Sequence, residues 1–242
     1  RGDNAITLLE RSGRSLIGTS NGSSLLESGC EFCGACIDVC PTGALVERDS
    51  KWEKAVNSVT SICPHCPIGC QFNLEINKRG KLIRATSDIH APSNRGQLCF
   101  KGKFGVGFVN KSQDFNNPLI RRGNSLEEAS WDEALNLIAE KFGQYRNNDF
   151  ALITSPRNTN EDNYVAQKFT RTVMQTNNID ISSNVRPELV SPLQEMLGYP
   201  SVTNSIWELE KSACLLVVSS NMTEEHNVLA LPIKEAIRNG SS

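Results

Sequence analysis

Eight of the nine cysteines in this 242-residue chain fall into two sets whose tight spacing suits metal ligands better than disulfides. The first, "CEFCGACIDVCP", supplies Cys30, Cys33, Cys36 and Cys40, followed by Pro41. The second, "CPHCPIGC", supplies Cys63, Cys66 and Cys70, and "LCFKG" adds Cys99 after 28 intervening residues. Thiolates two residues apart can all be turned inward by one loop, and Gly34 and the small Ala35 permit the close approach that an iron-sulfur cubane requires. Disulfide frameworks belong mainly to short secreted chains. The opening "RGDNAITLLERSG" lacks the charged-then-apolar order of a signal peptide, and its missing Met suggests a processed or cut chain. The ninth cysteine, Cys214, sits in the apolar run "ACLLVV" and is expected to be a buried core thiol.

The first set has the C-x2-C-x2-C-x3-C-P spacing of bacterial ferredoxins, in which the fourth cysteine serves the other cluster of a two-cluster domain. Cys30, Cys33 and Cys36 therefore need a fourth ligand from a second run, which is expected to precede Arg1. Cys40 is expected to bind that further cluster. The second set has four thiols and can close one [4Fe-4S] site unaided. Zinc remains the alternative, stronger for the second set, because C-x2-C with distant cysteines is also zinc-ribbon spacing. His65, inside the second loop, reads as solvent-facing, since four sulfurs already saturate the site. Lys101, two residues past Cys99, is either a surface lysine or a cation that stabilises a polyanionic cluster and bridges toward a second redox group.

The intervening elements must hold these loops. Residues 1 to 29 contain the Gly/Ser-rich "GRSLIGTSNGSS" and read as connector. "QFNLEI", "NKRG" and "KLIRAT" predict a β-hairpin between Cys70 and Cys99. Further on, "SWDEALNLIAEKFGQY" opens with a capping box from Ser130 to Glu133 and puts Trp131, Leu135, Ile138 and Phe142 on one helix face. "FALITS" predicts a buried strand, and "NEDNYVAQKFTRTVMQT" a helix turning Tyr164, Val165, Phe169, Val173 and Met174 toward a core. "ACLLVVSSN" predicts another strand before a helical "VLALPIKEAIRNG". Alternating strands and helices argue for an α/β layer around a largely parallel sheet, narrow enough to leave an exposed edge.

Composition narrows the function classes. With 38% hydrophobic and 21% charged residues the chain is an ordinary globular protein. A formal net charge of -2 supplies no basic excess for a nucleic-acid backbone. No run of about 18 apolar residues is present to span a bilayer, and a cytoplasmic location is expected.

Taken in order, "CPHCPIGC…GQLCFKG", "NPLIRR", "SWDEAL", "TNEDNYVAQKFTR", "TNNID" and "HNVLALPIKEAIRNG" resemble the N-terminal third of the molybdopterin oxidoreductase family. Within it the chain is most similar to catalytic subunits of NAD-linked formate dehydrogenases and to the large iron-sulfur subunit of complex I. The resemblance implies that a cluster held by Cys63, Cys66, Cys70 and Cys99 sits beside a pterin cofactor, with Lys101 between them. It also implies that the ferredoxin-type clusters pass electrons to a flavin subunit reacting with NAD(H).

Departures from the pattern bear on catalysis. Formate dehydrogenases place a cysteine or selenocysteine and then a histidine shortly after "TNN-D"; here those positions are Arg186 and Pro187. A guanidinium has no lone pair to donate, and proline has no side-chain donor or acceptor. Ser182 and Ser183 carry oxygens but sit a turn too early. Two positions that are glycine in the resembled family are Gln175 and Ser219, where a side chain obstructs close approach of a ligand. Asn221 and His226 match the family pattern but are equally at home in an ordinary loop, and later domains that complete a pterin cage are not expected in 242 residues.

The expected fold is an α+β ferredoxin-like [4Fe-4S] segment (1–55), a small β-rich [4Fe-4S] domain (56–115) and an α/β molybdopterin-oxidoreductase-like domain (116–242). The expected function is electron transfer within an NAD-linked multisubunit oxidoreductase, with flavin/NAD(H)-binding and other iron-sulfur subunits as partners. No residue is assigned a catalytic role, and bound molybdopterin is not expected.

Overall fold

The computed structural model describes residues 4–19, 22–111, 117–182, 187–218 and 221–242. Two compact units emerge, one from residues 1–110 with 203–242 and one from 111–202.

The first unit begins with a hairpin, β1 (Thr7–Arg11) and β2 (Arg14–Gly18), where a connector is expected. Ser12 and Gly13 both have positive φ, 47° and 78°, the two-residue turn whose twist matches its flanking strands. The short helix α1 (Ala35–Val39) follows in the first cysteine set. Next comes a three-stranded antiparallel sheet, β3 (Asn57–Ile62), β4 (Gln71–Ile76) and β5 (Leu82–Ser87), in that spatial order. The hairpin predicted between Cys70 and Cys99 is β4–β5, and β3, just before Cys63, pairs with β4 as a third strand. Helix α2 (Phe100–Phe104) starts immediately after Cys99.

The second unit opens with a hairpin, β6 (Leu119–Arg122) and β7 (Ser125–Glu128). Helix α3 (Trp131–Gln144) is capped by the Ser130 hydroxyl, which accepts from the Glu133 amide at 3.1 Å. The reciprocal half of the expected capping box is absent, because the Glu133 carboxylate pairs with Arg122 instead. Strand β8 (Leu152–Thr154), helix α4 (Asn160–Thr172) and strand β9 (Ile179–Ile181) form a β-α-β unit with a parallel strand pair. Helix α5 (Pro187–Leu197) completes the unit. Phe142, Phe150 and Phe169 form an aromatic cluster with centroids 5.4 and 6.1 Å apart. Met174 is buried, but Tyr164 and Val165 are exposed, so only the end of the predicted α4 core face is covered. Two strands offer too little surface to bury the whole helix.

Residues 203–242 return to the first unit. A 3-10 segment, Ile206–Lys211, buries Trp207, whose ring NH donates to Ser93 O at 3.0 Å beneath the Arg95 guanidinium. The predicted strand "ACLLVVSSN" does not form over its described residues, 213–218. There the chain forms no regular element, and among the described residues its backbone bonds, Leu215 N to Ser242 O and Ser242 N to Ala213 O, reach only Ser242. An apolar run becomes a core strand only with neighbours on both faces. Without them Cys214 is exposed, contrary to its expected burial. Helices α6 (Met222–Glu225) and α7 (Ala230–Arg238) end the chain. Asn221 caps α6, its side-chain oxygen accepting from Glu224 N at 3.4 Å. Among the described residues, no helix is long and apolar enough to cross a membrane.

Candidate metal centre

Three elements bring the second cysteine set together. Cys63 follows β3 and Cys70 precedes β4, so both stand at the mouth of the loop joining those strands. The Cys63 amide donates to Cys70 O at 2.8 Å and closes that loop. Gly69, at φ 65°, supplies the left-handed turn that admits Cys70. Cys99 arrives as the residue capping α2. Its approach is set by Asn94, a fully buried residue that no motif singles out. The Asn94 side chain accepts from Gln71 N (2.9 Å) and donates to Gln71 O (3.0 Å) and Gln97 O (2.8 Å). It pins the loop before Cys99 to the strand after Cys70. Asn94→Leu leaves these backbone groups unpaired in the interior and is expected to cost about 1–3 kcal/mol in a denaturant titration.

The four thiols of the second set, with Cys30 and Lys101, line a cavity of about 400 Å3. Among the described residues, no three Cys, His, Asp or Glu converge tightly enough to hold a single ion. Thiols spaced around a volume suit a polynuclear cluster, whereas a zinc site draws four ligands onto one point. A side chain at Gly102 would place its Cβ 3.6 Å from Cys63 Sγ, so glycine keeps that wall thin. The donor set therefore fits a [4Fe-4S] cluster.

Burial pushes the Cys70 thiol up to about 12, helped by the neighbouring Cys66, Cys63 and Cys99. Burial likewise raises Cys63, and it raises Cys36 with added repulsion from Cys33 and Cys30. Crowded, buried thiols resist ionisation until iron supplies the compensating positive charge.

Cys40 faces a different cavity, lined also by Asp38, Glu47 and Lys103. It lies outside the space where Cys30, Cys33 and Cys36 repel one another. The backbone amide of Leu45 and the Thr42 hydroxyl hold its thiol down at about 7. In iron-free protein, iodoacetamide labelling of Cys40 is expected to be half-maximal near pH 7, because the thiolate is the reactive form. Cys70 should resist labelling until far higher pH; peptide mapping that finds Cys70 labelled first would contradict this ordering.

His65 is half-buried and not solvent-facing. Its ring packs edge-on against Phe108, its Nε2 is buried with no hydrogen-bond partner, and a Cβ on Gly105 would sit 3.0 Å from that nitrogen. The turn at Gly105 folds the following segment back over the loop. Lys101 is exposed at the cavity rim, and among the described residues it makes no ion pair.

The residue that sequence reasoning missed most completely is Lys103. Its side chain has no solvent exposure, and its Nζ donates to Asp38 Oδ1 and Ala85 O, both at 2.7 Å, with Glu47 Oε1 at 3.2 Å. Asp38 in turn accepts from the Ser87 hydroxyl. A fully buried lysine is rare unless paired, but its partners lie too far away in sequence to announce themselves.

Of the positions bearing on molybdenum, Ser182 is exposed, while Ser183, Arg186 and Ser219 lie outside the described residues. Gln175 has φ 56°, the left-handed region that glycine favours. The backbone shape that glycine would adopt is thus kept with a side chain attached.

Residues 115–241, more than half of the chain, match the molybdopterin oxidoreductase family. Residues 56–111 match its Fe4S4 domain, and residues 26–46 a 4Fe-4S binding domain. The chain belongs to the molybdopterin oxidoreductase family and is an iron-sulfur protein with [4Fe-4S] clusters as cofactors. Among its relatives is the F420-dependent formate dehydrogenase 1 subunit alpha of Methanococcus maripaludis, 38% identical over 76% of this chain and 27% of the relative. An NADH-quinone oxidoreductase subunit of Rhizobium meliloti is 34% identical over 86% of this chain and 25% of its own length. The NADPH-Fe(3+) oxidoreductase subunit alpha of Geobacter sulfurreducens is 32% identical over 93% and 26%. The chain thus spans about a quarter of the length of the curated relatives it matches.

Proposed function

We propose that this chain is an electron relay in an NAD-linked, cytoplasmic multisubunit oxidoreductase resembling formate dehydrogenase, retaining the clusters but not the molybdenum ligand. Cys63, Cys66, Cys70 and Cys99 hold one cluster, Cys30, Cys33 and Cys36 contribute to a second, and Cys40 to a third. The partners are flavin/NAD(H)-binding and other iron-sulfur subunits of the same assembly. The observation that carries the reading is a contrast between two sites. Eight thiols stand in two sets with cluster spacing, whereas the position expected to bind molybdenum is Arg186, a permanent cation that cannot coordinate metal.

The clusters, when bound, supply single-electron storage and transfer. The protein's own residues set the conditions for it. The β3–β4 loop and the start of α2 orient the four thiols, while burial of Cys63 and Cys70 limits water at the sulfurs. The Phe32 amide, 3.4 Å from Cys30 Sγ, donates to that sulfur. Lys101 places a cation at the rim of the same cavity.

Anaerobically purified protein is expected to be brown, to give cubane-type EPR signals on reduction, and to contain neither molybdenum nor tungsten by elemental analysis. Stoichiometric molybdenum or tungsten in the native assembly would overturn the relay reading. A second reading, part of an active formate dehydrogenase alpha subunit, is favoured by the identity to proteins bearing that name. Arg186→Cys separates the two: it should not create formate oxidation, because Gln175 and Ser219 also replace glycines, and measurable turnover would refute this.

A further inference from the structure

We infer that Lys103 is the positioning residue that fixes the Cys30–Cys33–Cys36 set against the Cys63–Cys66–Cys70–Cys99 set, and so sets the electronic coupling between the clusters assigned to them. The inference rests on the proposed ligand assignment and extends it to a residue that touches neither cluster's sulfurs.

The lysine is anchored at both ends. Its amide donates to Cys99 O at 2.9 Å, tying its backbone to the residue that ends the second set. Its stem then crosses Gly34, in the loop between Cys33 and Cys36. A Cβ there would stand 2.6 Å from Lys103 Cγ, 3.0 Å from Cε and 3.1 Å from Cδ, and Gly34 itself has φ 73°. The ammonium group ends on Asp38, between Cys36 and Cys40, and on Glu47, just past the first set. Its third contact, Ala85 O, belongs to the middle of β5, so the strut is braced by the sheet that carries the second set. One side chain thus spans from the backbone of one ligand set to the helix inside the other, 65 residues away in sequence.

Packing alone does not account for a lysine here. Buried ion pairs are often no better for stability than apolar residues of equal volume. What the ammonium adds is direction: two acceptors from two segments, Asp38 and Ala85, and the ion-paired Glu47 carboxylate from a third converge on one atom. It also adds charge. Removing the cation leaves two enclosed carboxylates beside the first set, which makes electron addition there harder. Removing one carboxylate does the reverse.

The test compares anaerobically purified wild type with Lys103→Met and Asp38→Asn. In the reduced wild-type native assembly, the cubane EPR signals of the first-set and second-set clusters are expected to be broadened by mutual spin–spin interaction. Both variants should retain wild-type iron content but lose that broadening. Their effects on the reduction potential of the first-set cluster should be opposite, lowered in Lys103→Met and raised in Asp38→Asn. A residue that only maintains the fold gives no such sign reversal. Wild-type broadening and potentials in the two variants would overturn the proposal. If Lys103→Met does not hold iron, Asp38→Asn decides, since it keeps the lysine, its hydrogen bond to Ala85 O and its ion pair with Glu47. A wild type without cubane signals would sink the ligand assignment itself, a failure distinct from iron-loaded variants whose spectra do not change.

Discussion

Cys66→Ala is expected to remove one whole cluster, about four iron atoms per chain, along with its EPR signal and electron transfer through the site. Three remaining thiols would leave such a cluster one protein ligand short. The fold should tolerate the change better than the metal does. Cys66 is only partly buried, whereas Cys63 and Cys70 are in the core cluster with Phe72, Leu82 and Leu98. Iron analysis, visible absorbance and circular dichroism on the same sample separate the effects. Unchanged iron with native dichroism would remove Cys66 from the ligand set.

Lys103→Met is expected to lower stability by about 3–5 kcal/mol, the usual cost of removing one partner from a buried charged pair. The figure applies without discount for solvent, because the lysine side chain is 0% exposed and its partners Asp38 and Glu47 are only 15% and 12% exposed. The cost lies less in the lost lysine than in the two carboxylates left enclosed. The triple change Lys103→Met, Asp38→Asn, Glu47→Gln should therefore recover part of the stability. A urea titration of the two variants measures the difference, and equal midpoints would contradict the electrostatic account.

The sequence displayed the chemistry far better than the scaffold. Cysteine spacing is local, so eight candidate ligands were legible from residue order alone, as was the β4–β5 hairpin with its alternating apolar residues and four-residue turn. The β1–β2 hairpin was hidden because "TLLER" and "RSLIG" each pair two adjacent apolar residues without alternation, in a stretch rich in Gly and Ser. Residues 213–218 misled in the other direction. An apolar run carries the propensity for a strand, but strand formation needs a partner to accept its backbone bonds, and among the described residues only Ser242 provides them. Exposure of Cys214 follows from the same cause. Asn94 and Lys103 were illegible for another reason. Each is an ordinary polar residue whose meaning comes largely from distant partners, Gln71 for Asn94 and Ala85 and Asp38 for Lys103, where no periodicity reaches.

The hydrogen bond from Cys63 to Cys70, with the Asn94 clamp, holds the second loop in shape through protein atoms alone. These contacts use backbone atoms and one amide side chain, so the loop's geometry and its sulfur donors can be altered by separate substitutions.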